Sequence, residues 1–103
     1  MLVTVPSLND TFVRRPDVMS RETSDGAVLV DVVSGGCWEL NHVGSALWSL
    51  LERPTTLEAV CGVLRGRYDV AADVIERDVF TIIGDLSKAG LVSLAPARNP
   101  VPR

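Results

Sequence analysis

An α+β domain is predicted, with a three-stranded antiparallel sheet followed by three helices. Two features of the 103-residue sequence carry that expectation. Between residues 18 and 40, short apolar runs alternate with glycine-bearing turns, as in strands joined by hairpins. Beyond residue 41, apolar residues recur at three- and four-residue intervals, as on the buried faces of helices. A hydrophobic share of 47% supplies one modest core, so a single domain is expected.

Taken in order, residues 1–17 carry Pro6 and Pro16 without a sustained period and read as an extended or flexible arm, with room to lie on the domain. The folded domain is expected over 18–94. VMSRET and AVLVDVV form two strands, and Asp25-Gly26 between them supplies the positive φ that tight hairpins need. Ser34-Gly35-Gly36 makes a second turn into CWEL, a short third strand. Asn41 is a good N-cap for a helix whose Val43, Ala46, Leu47, Leu50 and Leu51 share one face. That helix should end near Glu52, ahead of Arg53-Pro54.

Thr55 or Thr56 caps a second helix, with Glu58 near the capping-box position and Leu57, Val60, Cys61 and Leu64 at helical spacing through Arg67. A third helix runs from Asp73 to about Ala89. Its stripe is Ile75, Val79, Ile82, Ile83 and Leu86, with Val74 and Phe80 at the two margins. Gly90 suits the position that ends it, LVSL adds a short strand, and 95–103 reads as a flexible Pro/Arg tail. Strands followed by helices, with a short turn between helices two and three, give a winged-helix-like arrangement.

Catalytic chemistry finds little support. His42 is the lone histidine, and neither Cys37 nor Cys61 sits in an electropositive setting or a CxxC spacing. Asp73 with Glu76, and Asp78 with Asp85, read as a solvated helix face. Gly35-Gly36 lacks the lysine and following residues of a phosphate loop. No cofactor or metal is expected, and the two cysteines read as reduced thiols. No segment approaches membrane-spanning length, so a soluble cytoplasmic protein is expected and a membrane partner is not.

Nucleic acid is disfavoured as well. The net charge is −3, and the third helix offers Arg77 and Lys88 against Asp73, Glu76, Asp78 and Asp85. What remains is the edge of CWEL. An edge strand accepts another extended chain through its free N–H and C=O groups, with nearby apolar residues forming side-chain pockets. Whether Trp38 faces such a groove or the core depends on a register that one residue would reverse. A winged-helix DNA-binding regulator and a structural homodimer paired through the same edge are the alternatives.

The series VLVDVVSGGCWELNHVGSALWSLLE, RPTTLEAVCGVLRGRYDV and IERDVFTIIGDLSKAGLV resembles the family of pyrroloquinoline quinone biosynthesis protein D, the precursor-peptide recognition elements of ribosomally made peptide pathways. The likeness spans roughly residues 18–94 and rests on strand-turn-strand-Leu-Asn-x-x-Gly-x-x-x-Trp, the Thr-rich start of helix two and the Gly-Leu ending. It implies a non-catalytic module that takes a leader peptide as an antiparallel strand beside the third strand and against the third helix. Carried over by position, Cys37, Trp38, Glu39 and Leu40 form the strand side, and Val74, Asp78, Ile82 and Asp85 the helix side. The opposite helix margin, marked by Phe80, is the alternative. The Gly-Gly-Cys-Trp-Glu-Leu-Asn form is most similar to stand-alone modules of lasso-peptide clusters. A separate maturation enzyme is the implied partner, either a leader peptidase or a radical S-adenosylmethionine enzyme.

Overall fold

The molecule was analysed as a computed structural model, which describes residues 6–95. Its order is β1 (Thr11–Arg14), β2 (Val18–Thr23), β3 (Gly26–Asp31), β4 (Cys37–Leu40), α1 (His42–Leu50), β5 (Thr55–Thr56), α2 (Leu57–Arg67), α3 (Ala72–Lys88) and β6 (Val92–Leu94). The strands form two three-stranded sheets, β2-β3-β4 and β5-β1-β6. The first is the meander foreseen from the sequence. The second is not, because its strands are two to four residues long and come from three distant places in the chain.

That second sheet revises the reading of residues 1–17 as an arm. Residues 1–5 lie outside the described residues, but Thr11–Arg14 is the central strand between β5 and β6. Phe12 is 4% exposed and belongs to the core. The strand's backbone pairs on both sides, and of its four side chains Phe12 is the one that is fully turned inward. Of the expected tail, residues 96–103 likewise lie outside the described residues.

The β2–β3 hairpin closes through Ser24-Asp25, with Thr23 opposite Gly26. Neither loop residue has positive φ; Gly26 does, at 154°. The glycine is required for a different reason from the expected turn type. A Cβ there would collide with the backbone of Leu40 and Asn41, so its absence lets the hairpin lie against the β4–α1 junction.

Helix ends follow local chemistry. Asn41 Oδ1 accepts from Gly44 N at 2.8 Å, and Thr56 Oγ1 accepts from Ala59 N at 3.1 Å, each satisfying a first-turn donor. α1 stops at Leu50 with Leu51 as its cap, a turn-fraction before the expected Glu52. Glu58 stands at the second helical position, one short of the capping-box site. α3 closes at Gly90, whose φ of 76° suits glycine, while Leu91 N bonds Leu86 O at 2.9 Å.

Leu29, Leu47, Leu51, Leu57, Leu64, Ile75, Ile83 and Leu91 are fully buried, drawing both sheets and all three helices onto one core. Arg15 ties the layers together. Its N–H donates to Leu91 O at 3.0 Å, and its Nη1 donates to Asp31 Oδ2 at 3.0 Å and to Gly90 O at 3.1 Å.

Candidate functional site

β4 is an outer strand of its sheet, and its register fixes which groups face the open edge. Leu29 opposes Trp38 and Ala27 opposes Leu40, whereas Val30 opposes Cys37 and Val28 opposes Glu39. Asp31 N donates to Gly36 O at 2.9 Å, and bonded pairs alternate with non-bonded ones along an antiparallel ladder. Trp38 and Leu40 therefore spend their backbone groups on β3. Cys37 and Glu39 turn theirs outward, giving two N–H donors and two C=O acceptors without a sheet partner among the described residues.

Side chains divide the opposite way. Trp38 and Leu40 share the face of buried Leu29 and Ala27 and pack against the core, each half-buried. Cys37 and Glu39 are exposed on the outer face. Trp38 thus serves both roles the sequence left open, its ring leaning on the core and on Gly36, where a methyl group would run into it.

Between β4 and α3 runs a groove of about 720 Å³, lined by Trp38, Glu39 and Leu40 on one wall and by Thr81, Ile82 and Asp85 among others on the second. Gly44 lies at its floor; a Cβ there would sit 3.2 Å from Leu40 Cβ, so glycine lets α1 close against the strand. Apolar surface from Trp38, Leu40, Ile82 and Ala89 meets a rim carrying Glu39, Asp85 and Lys88.

Of the eight residues named from the sequence, Trp38, Glu39, Leu40, Ile82 and Asp85 line this groove. Cys37 contributes edge backbone while its side chain points outward. Val74 and Asp78 are half-buried on the N-terminal half of α3 and do not line it. The groove is confined to the last two turns of that helix because β4 is only four residues long. Thr81, Lys88 and Ala89 were not foreseen, although they continue the face of Ile82 and Asp85 at helical spacing. The opposite margin also borders a depression, of about 340 Å³, where Gly84 and Ser87 face Phe12, Val92 and Leu94; Phe80 does not line it.

The other outer strand of that sheet, β2, offers no comparable site. Every residue after Val18 is exposed, and Arg21 and Glu22 charge its flank, a common protection of sheet edges. Among the described residues no group of three or more His, Cys, Asp or Glu side chains is placed to hold a metal ion. No helix there is long and apolar enough to cross a membrane.

Fold and site together define a small α+β module whose open strand edge borders a helix-walled groove. The family model for coenzyme PQQ synthesis protein D (PqqD) matches residues 26–92, and the chain belongs to that family. Three solved structures are similar to it. TbiB1, in complex with the TbiA(beta) leader peptide, is 28% identical with a TM-score of 0.68, covering 84% of this chain and 99% of its own. A lasso peptide synthetase B1 complexed with the leader peptide is 28% identical with a TM-score of 0.67, covering 80% and 96%. The PqqD truncation of Methylobacterium extorquens PqqCD, a recognition element for ribosomally synthesised and modified peptides, shares the fold at 20% identity and a TM-score of 0.72, covering 87% and 96%. No curated protein matches the chain.

Proposed function

We propose that this protein is a non-catalytic adaptor that binds the leader segment of a ribosomally synthesised precursor peptide and delivers it to a separate maturation enzyme. The observation that carries the reading is the open edge of β4 beside the groove. An extended peptide adding antiparallel there gains main-chain bonds from Cys37 and Glu39 and inserts alternate side chains between Trp38 and Ile82. Two relatives of 28% identity, each complexed with a leader peptide, support it. A leader peptidase is the favoured enzyme partner, and a radical S-adenosylmethionine enzyme the alternative. The cytoplasm, which keeps Cys37 and Cys61 as free thiols, is the expected compartment.

The test is fluorescence anisotropy of a labelled leader peptide, taken from a small precursor encoded beside this gene. Saturable binding is expected, weakened about tenfold or more in Trp38→Ala, as for a central aromatic anchor. Absence of binding to the folded protein would overturn the reading.

A further inference from the structure

The groove describes what the bound peptide inserts, while the outer face of the same sheet describes what it must display. A chain paired to the outward backbone of Cys37 and Glu39 places the residues directly opposite them on the outer face, and the residue between them over Trp38. Those outer positions continue two cross-strand rows. One is Met19–Val30–Cys37, in which Met19 is 65% and Val30 37% exposed. The other is Arg21–Val28–Glu39.

The rows end in different chemistry. Cys37 closes an apolar stripe at the open edge. Glu39 closes the other with a carboxylate that forms no ion pair among the described residues. Arg21 lies two strands away, about 10 Å at ordinary strand spacing, so Val28 separates the opposite charges. A depression of about 190 Å³ beside Glu39 is also lined by Asp25, and none of its other lining residues, Thr23, Ala27, Val28 and Leu40, is a cation. On the groove side Lys88 and Asp85 both line the cavity that Glu39 borders, and neither forms an ion pair among the described residues.

We propose, resting on the adaptor reading, that the peptide taken at β4 carries a basic residue opposite Glu39 and, two residues further toward its C-terminus, an aliphatic residue opposite Cys37. The order follows from antiparallel pairing, in which the peptide runs from Glu39 toward Cys37. A Lys or Arg opposite Glu39 gains a cross-strand ion pair, on a face where Asp25 adds a second negative charge to the same depression. The aliphatic residue extends the Met19–Val30–Cys37 stripe by one strand. The intervening side chain fills the groove, so the recognised core reads basic, apolar, aliphatic.

The experiment selects a random phage-displayed library, with inserts of about twelve residues to cover the four-residue edge, against the wild-type chain, Glu39→Lys and Cys37→Lys, each checked for folding by circular dichroism. The wild type should enrich Lys or Arg two positions ahead of an aliphatic residue. Individual peptides should lose about two- to fivefold in affinity when that cation becomes Gln. Glu39→Lys should replace the cation with Asp or Glu, and Cys37→Lys should abolish the aliphatic preference two positions later. Enrichment of extended peptides with the same charge preference in wild type and Glu39→Lys overturns the inference and leaves the adaptor reading standing. Enrichment of nothing by the folded wild type overturns both.

Discussion

Asp31 is the one buried charged side chain among the described residues. It survives there because both carboxylate oxygens are satisfied: Oδ1 by Arg15 Nη2 at 3.2 Å and Val33 N at 2.9 Å, Oδ2 by Arg15 Nη1 at 3.0 Å. Hydrogen bonding from Arg15, and then from the Val33 N–H, holds its carboxyl below the ordinary value of 3.8. Because the folded form is the better acid, its stabilising effect is complete above the ordinary carboxylate range and is lost as pH falls through the folded value. Thermal midpoints measured from neutral pH down to about pH 3, just below that range, should therefore fall for the wild type at the acidic end. Asp31→Asn should be less stable at pH 7 and lose part of that acid dependence. An unchanged midpoint at neutral pH would count against the Arg15–Asp31 contact as a structural tie.

At the scale of the element, β4 separates the backbone groups spent on its own sheet from those left open, residue by residue. The Cys37 N–H faces the open edge and makes no bond to β3, and Cys37 opens its strand, a position where proline is tolerated. Cys37→Pro should therefore keep the circular dichroism spectrum while losing peptide binding by about tenfold or more, because it removes one edge donor and places a ring where the peptide must pair. Leu40→Pro, which cuts a bond to β3, should instead lower stability. Equal peptide affinity in Cys37→Pro and wild type would argue that binding does not use this edge. The short Gly-Gly-Cys-Trp-Glu-Leu-Asn stretch made this strand legible, since turn glycines, alternation and the Asn41 cap all point the same way. Its groove was only half legible. Ile82 and Asp85 follow from helical period, but period says nothing about where along α3 a four-residue strand will lie, and Val74 and Asp78, named with them, stand one to two turns before the groove.

For the molecule as a whole, the core depends on a segment that sequence pattern undervalues. Strand β1 is too short to show sustained alternation, and its partners β5 and β6 are farther along the chain than any local signal reaches. Yet Phe12 joins the same core as Leu57 and Val92. Phe12→Ala should cost about 3–5 kcal/mol in urea unfolding, a large part of the 5–15 kcal/mol typical of whole domains. Deleting residues 1–14 should unfold the chain rather than trim it. Retained cooperative unfolding after that deletion would return β1 to the status of an arm. Arg15, which follows this strand, touches the end of the sheet through Asp31 and the end of α3 through Gly90. One guanidinium thus bridges the chain just ahead of β4 and the chain just after α3, the two jaws of a caliper. Peptides would be sorted by the girth of a single inward side chain, and a change at Arg15, far from any peptide contact, would recalibrate which girths pass.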